Sequence, residues 1–282
     1  MKTFCPINKK KSKNYSNKAY LFEPTDEIIY LKKIPSEAEL KSFYNSEYKK
    51  GVYLDYVKNV VIKKETALQR IALFSSQKKN GVLLDVGCSS GLFVEVALGE
   101  GYDSYGVEIS KEAVKKANKK ISSRIMNHNA EKLIKETNKK FDIITAFDLI
   151  EHTSDPLLFI SNLKSLLKKD GILVITTPDT NHFLRKIMGR FWPMLQPFQH
   201  LFLFSSKNFT KVLSDAGYKQ ISVGPFKKVI TIDYLFNQLS QTNSFIYYLY
   251  RFFSILLPKF ITNKFISVNI GEFYSISKAS RK

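Results

Sequence analysis

Val82-Leu83-Leu84-Asp85-Val86-Gly87-Cys88-Ser89-Ser90-Gly91 runs an apolar segment straight into a turn of small residues, and its reading decides the fold. Three aliphatic residues in a row without polar alternation suit a strand buried on both faces, as in a parallel sheet covered by helices. Bulk then vanishes. Glycine tolerates positive φ and carries no side chain, so a turn through Gly87, Ser89 and Gly91 that enters a helix over residues 92–98 predicts backbone N–H groups offered to a ligand. Asp85 closes the strand, where its carboxylate can accept from the turn or meet a cationic ligand group. A second strand over residues 102–109 ends in Glu108 and Ile109. That is where doubly wound nucleotide folds hold ribose hydroxyls. The turn is not Gly-x-Gly-x-x-Gly, which argues against a bound pyrophosphate and so against an NAD enzyme.

Residues 84–91 resemble the glycine-rich signature of class I S-adenosylmethionine-dependent methyltransferases, and later segments repeat the resemblance in order. After a third strand over residues 124–128, Asn129-Ala130 stands where the family usually carries Asp-Ala against the adenine amino group. Residues 141–152, ending Phe147-Asp148-Leu149-Ile150-Glu151-His152, resemble the fourth strand and exit of relatives that act on small molecules, lipids and sugars. Asp155-Pro156 predicts a capped helix start, and Gly171 after Lys168 and Lys169 its end. A fifth strand over residues 171–179, a His200-containing stretch, a helix capped by Ser205, a sixth strand over 220–223 and an antiparallel last strand over 272–278 complete the pattern. The resemblance implies an α/β, Rossmann-like, seven-stranded sheet of order 3-2-1-4-5-7-6 between helices. It also implies S-adenosylmethionine as cofactor, held by Asp85, Gly87, Cys88, Ser89, Gly91, Glu108, Ile109, Asn129, Ala130 and Phe147, with Cys88 a compact filler in the turn.

A sulfonium methyl is already electrophilic, so the protein must place an acceptor in line with it and, for a hydroxyl, take up a proton. His152 and His200 are the candidate bases, because imidazole titrates near neutrality. Glu151-His152 equally suits a loop-ordering role without proton transfer. Ubiquinone-pathway O-methyltransferases have a similar acid-x-x-Glu-His arrangement linked to magnesium, which makes Asp148, Glu151 and His152 the alternative ion ligands. The main expectation is catalysis without a metal. His182 has no assigned role.

The net charge of +19 raises the question of a nucleic-acid partner. Only six of the 44 basic residues are Arg, at 70, 124, 185, 190, 251 and 281, and the lysines are spread along the whole chain. Arg is the residue suited to bidentate phosphate and base recognition, so the profile reads as a solvated basic surface and against nucleic acid. The chain also lacks an Asn/Asp-Pro-Pro-aromatic motif after its fourth strand. Cys5 and Cys88 give no disulfide framework, and no signal segment opens the chain, which points to the cytoplasm.

Four segments follow: 1–80, an N-terminal cap with helices and a degenerate ribbon-like segment; 81–224, the cofactor-binding core; 225–270, a basic aromatic insertion; and 271–282, the last strand and tail. Cys5-Pro6-Ile7-Asn8 resembles the start of a zinc ribbon found in a subgroup of these enzymes, but Asn8 replaces the second thiolate and the other pair is missing, so four-ligand zinc binding is not expected. Tyr44, Tyr48, Tyr53 and Tyr56 are expected on helices folded over the ligands. Residues 234–268 are too interrupted to span a membrane and suit a membrane-surface helix, a substrate lid or a dimer contact, the first making the protein peripheral at the inner membrane face. The reading as a whole is an O-methyltransferase of a saccharide, a polyprenoid-linked intermediate or another small molecule. Its alternatives are a magnesium-assisted quinone or lipid O-methyltransferase and, from another class, a non-catalytic cofactor-binding or membrane-docking protein.

Overall fold

The computed structural model describes residues 3–15, 18–50, 60–232, 252, 262 and 264–280. The quoted decapeptide begins as strand β5 (Val82–Val86), an interior strand of a seven-stranded sheet. Its parallel neighbours are β6 (Asp103–Val107) and β8 (Phe141–Phe147). β7 (Ile125–Met126) lies beyond β6, and β9 (Leu167–Pro178) beyond β8. β12 (Phe265–Ala279) pairs antiparallel with β9, and β11 (Tyr218–Thr231) forms the antiparallel edge. Numbered along the chain, the order is the expected 3-2-1-4-5-7-6. Leu83, Leu84, Ile143 and Ile144 are fully buried, as strands covered on both faces require.

Helices α2 (Val60–Ala72) and α3 (Leu92–Gly99) pack on one face, burying Ala67, Ile71 and Phe93. Helices α6 (Pro156–Lys164) and α8 (Phe209–Asp215) cover the other, through Ile160, Leu163 and Leu213. Asp155 caps α6 by accepting from the Leu158 N–H at 3.0 Å. The helix nevertheless ends at Lys164, well before Gly171, because Leu167 pairs with Phe141 and the chain is already in strand when Lys168 and Lys169 are reached. Lys168 instead reaches the Asp142 carboxylate at 2.7 Å. Ser205 is not the cap of α8 either: Asn208 holds that position, and the Ser205 hydroxyl donates to Glu27.

Before its first helix, the N-terminal segment is an antiparallel meander of β1 (Thr3–Phe4), β2 (Lys11–Asn14), β3 (Tyr20–Glu23) and β4 (Ile28–Leu31), and the helical part of the cap begins only after it. Lys9 and Glu27, both at positive φ, sit in its reversals. Where a ribbon would carry metal, the Asn8 amide donates at 2.7 Å to both Glu23 and Asp26, and Lys10 pairs with Asp26 at 3.1 Å. Cys5 is buried beside this network with its thiol pushed up by burial. A fifth strand, β10 (Phe202–Leu203), comes from the far end of the chain and pairs with β4. The Tyr20 hydroxyl donates to the His200 carbonyl at 2.9 Å, and stacked Tyr30 and Phe202 carry the contact into the core shared with the main sheet. Helix α1 (Glu37–Lys50) follows the meander and carries Tyr44 and Tyr48; Tyr53 and Tyr56 lie outside the described residues.

β11 and β12 run as a long ribbon from the pair Tyr218 with Ala279 to the pair Thr231 with Phe265. Residues 225–231 and 265–270, read as part of the insertion, are therefore strand. What lies between is almost entirely outside the described residues, as is the aromatic segment 234–268. Among the described residues no helix is long and apolar enough to cross a membrane.

Candidate active site

The C-terminal ends of β5, β6 and β8 open into a cavity of about 630 Å³, within the ~300–1,000 Å³ typical of small-molecule sites. Asp85, Gly87, Cys88, Ser89, Glu108, Ile109, Asn129 and Phe147 line it, as does His152. Among the described residues, Gly91 and His200 are not part of the lining. Gly91 (φ 82) starts α3, and a Cβ there would lie 2.2 Å from Ile125 Cδ1, so its smoothness serves packing. Ala130 is the first residue of α5 (Ala130–Glu136), whose cap is Asn129, the side-chain oxygen accepting from the Lys132 N–H at 2.8 Å.

The turn departs from expectation in its hydrogen bonds. Gly87 and Cys88 N–H groups both donate to the Val107 carbonyl, Gly91 N–H to Cys88, and Ser89 N–H to the Glu108 carboxylate at 2.9 Å. Most of the turn's donors are thus spent inside the fold. Glu108 also accepts from Ser110 N–H at 2.8 Å; burial raises its carboxyl, and these bonds oppose the shift. Asp85 takes none of the turn's donors. It accepts from the Thr145 hydroxyl at 2.6 Å, and burial pushes its pKa up to about 7. Cys88 is buried against Gly106, where an added Cβ would sit 2.5 Å from its Sγ, and burial raises the thiol well above its ordinary range. It is a filler here and no nucleophile.

Asp148, at φ 49, leaves β8 into a half-buried charge network that local sequence reading missed. Arg70 of α2 meets its carboxylate at 2.5 Å, Lys228 of β11 at 3.4 Å, and the Thr176 hydroxyl donates at 2.8 Å. Lys228 also pairs with Glu272 of β12 at 2.5 Å. Burial opposes ionisation of Asp148, but Lys228 and Arg70 prevail and hold it below the usual carboxylate range. Arg70 lines the cavity with its guanidinium 4.6 Å from the Phe147 ring centre. Two cations thus occupy Asp148, and the set Asp148, Glu151 and His152 does not fit a magnesium ion.

Glu151 and His152 lie in the 3-10 turn Ile150–His152. His152 Nδ1 is 2.7 Å from the Gln199 carbonyl and 2.9 Å from the Tyr44 hydroxyl. His200 Nδ1 is 2.7 Å from the Met194 carbonyl, and the two rings are 5.0 Å apart. Burial lowers both imidazoles, that of His200 to about 3, so each is neutral at pH 7. Glu151 is 1% exposed; burial and the nearby Asp148 raise its carboxyl well above the ordinary value, and Thr177 donates to it at 2.9 Å.

The profile of a methyltransferase domain family matches residues 61–223, and the chain belongs to that family. Ubiquinone biosynthesis O-methyltransferases are similar in sequence: that of Pelagibacter ubique is 35% identical over 119 residues, 40% of this chain and 50% of its own length. That of Coxiella burnetii is 32% identical over 113 residues, 38% and 48% of the two chains. This chain spans about half the length of these curated relatives. Among solved structures, the Burkholderia thailandensis 1,6-didemethyltoxoflavin-N1-methyltransferase with bound S-adenosylhomocysteine superposes with a TM-score of 0.54 at 12% identity, over 92% of this chain and 97% of that one. Magnesium protoporphyrin IX methyltransferase of Synechocystis, also with S-adenosylhomocysteine, gives 0.51 at 18% identity over 67% and 93%. At such identities the likeness is one of fold.

Proposed function

We propose that this protein transfers the methyl group of S-adenosylmethionine to a hydroxyl of an apolar, ring-bearing or polyprenoid-linked acceptor. The observation that carries the reading is Glu108, buried at the ligand-binding edge of the sheet with its carboxylate fixed by two N–H groups beside an open cavity. Ribose hydroxyls would complete its acceptor capacity, and Asp85 and Arg70, both in the cavity wall, are the proposed partners of the amino and carboxylate ends of the cofactor. Leu40, Tyr44, Leu149, Leu158 and Phe159 give the cavity an apolar share of wall, which supports such an acceptor over a bare saccharide. The His152 imidazole, neutral at pH 7 and in the cavity wall, takes up the hydroxyl's proton as the methyl is transferred from sulfur to oxygen. The names of the relatives support a hydroxyl acceptor.

Calorimetry tests the cofactor half. Glu108→Ala is expected to weaken S-adenosylhomocysteine binding about 10- to 150-fold, the equivalent of ~1.5–3 kcal/mol for charge-assisted bonds. Wild-type affinity in the variant removes the assignment. Label from methyl-labelled cofactor entering only the polar glycan fraction of an extract, and not its lipid fraction, would replace the acceptor by a saccharide. Binding with no transfer into any fraction would leave a non-catalytic cofactor-binding protein.

The membrane contact expected of residues 234–268 falls almost entirely outside the described residues, and a different patch supports contact with an anionic membrane surface. Phe183, Ile187, Phe191 and Phe198 are exposed between β9 and β10, Ile187 at 77%, and exposed Lys186 and Arg190 lie among them. Apolar side chains beside cations suit the interface of an anionic bilayer. Each cation adds ~1 kcal/mol there, so reversing Lys186 and Arg190 to Glu is expected to lower co-sedimentation with phosphatidylglycerol vesicles at least about 30-fold. Wild-type protein that stays in the supernatant at low salt ends this part of the reading.

A further inference from the structure

We propose that Glu151, His152 and His200 form a binding site for a divalent ion of the zinc class. Their ligand atoms, one from each side chain, lie within 4.8 Å of one another, and His152 Nε2 is 4.0 Å from the near oxygen of Glu151. Donors at ~2.0–2.1 Å from a tetrahedral ion are separated by roughly 3.4 Å, so closure asks for about an ångström of movement.

The tautomers support the assignment. A carbonyl oxygen only accepts, so the bonds to Gln199 and Met194 place the proton of each imidazole on Nδ1 and leave the lone pair on Nε2. A histidine ligand oriented by its other nitrogen on a backbone carbonyl is the usual outer shell of a metal site. Thr177 holds the second oxygen of Glu151 and leaves the first turned to the histidines. Two lone pairs and a carboxylate converging in a buried place repel one another unless a cation or a proton joins them. Asp148 is already matched by Arg70 and Lys228, so Glu151 is the carboxylate left to meet an ion. Two imidazoles with one carboxylate select zinc, iron or nickel over magnesium, which prefers oxygen alone.

The ion would tie the turn after β8 to the turn before β10, one side chain behind the cavity wall formed by His152. This site was not legible from spacing, because His200 stands 48 positions from His152. The inference needs no assumption about the acceptor or about methyl transfer.

The full chain, stripped with chelator and dialysed, would be titrated with zinc chloride and, separately, with cobalt chloride. Expected are one equivalent bound, a cobalt absorption band of four- or five-coordinate type, a raised melting temperature, and no displacement by millimolar magnesium. His200→Asn and Glu151→Gln should each weaken zinc binding at least 100-fold while S-adenosylhomocysteine still binds in calorimetry, which also shows that the variants fold. Substoichiometric zinc binding by the wild-type chain overturns the proposal whatever the variants do, as does unchanged zinc affinity in folded His200→Asn. Failure of cofactor binding in the wild type would count against the methyltransferase reading and leave the metal result standing.

Discussion

Alanine in place of His152 is expected to lower turnover by ~10²–10⁴-fold while affinity for S-adenosylmethionine stays nearly unchanged, the signature of a lost proton-accepting group. His152 is the one of the two candidate histidines that lines the cavity. Burial lowers its pKa, and a base must be unprotonated to act. The rate should therefore hold as pH falls through the ordinary histidine range near 6.5 and decline only below it. His200 lies behind His152 and does not reach the cavity, so its alanine variant separates two mechanisms. If His152 acts alone as base, His200→Ala is the milder lesion. If the pair holds an ion with Glu151, both variants fall together and chelator reproduces them. Rates within a few-fold of wild type in both variants would leave in-line positioning as the whole of catalysis.

Much of the main sheet was readable because each strand carries its own signal. Val82-Leu83-Leu84, the run Ile143-Ile144 and the run Leu173-Val174-Ile175 are apolar without alternation, and the turns between them hold the glycines and the capping Asp155. The N-terminal meander lacked that signal: its strands are two to four residues long, and β4 finds its partner in Phe202–Leu203 across most of the chain. The end of α6 was misplaced for a related reason. Lys168, Lys169 and Gly171 look like a helix terminus, but pairing of Leu167 with Phe141 is a tertiary contact that local propensity cannot see. In the site, Glu108 and His152 announced themselves by position after a strand. Arg70 and Lys228 did not, since nothing near either residue in sequence indicates that both converge on Asp148.

That convergence carries the largest expected effect on stability. Lys228→Met would leave Glu272, 3% exposed, without its partner at 2.5 Å and Asp148 with Arg70 alone. Breaking a buried pair from one side costs ~3–5 kcal/mol, because the remaining charge stays desolvated. The Lys228 side chain is itself 28% exposed, so water screening moves the expectation toward the lower figure. Urea unfolding should show the loss as a lower midpoint with an unchanged slope. Adding Glu272→Gln should restore much of it, since the uncompensated carboxylate is then gone. The pH dependence has a definite sign. Burial already raises the Glu272 carboxyl, and Asp148 adds to the shift, so the folded state holds this proton more tightly than the unfolded chain does. With Lys228 removed, the penalty grows as pH rises above the unfolded carboxylate value near 4.3 and fades below it, where both states are protonated. A variant as stable as wild type at pH 8 would mean that Lys228 is not what compensates Glu272.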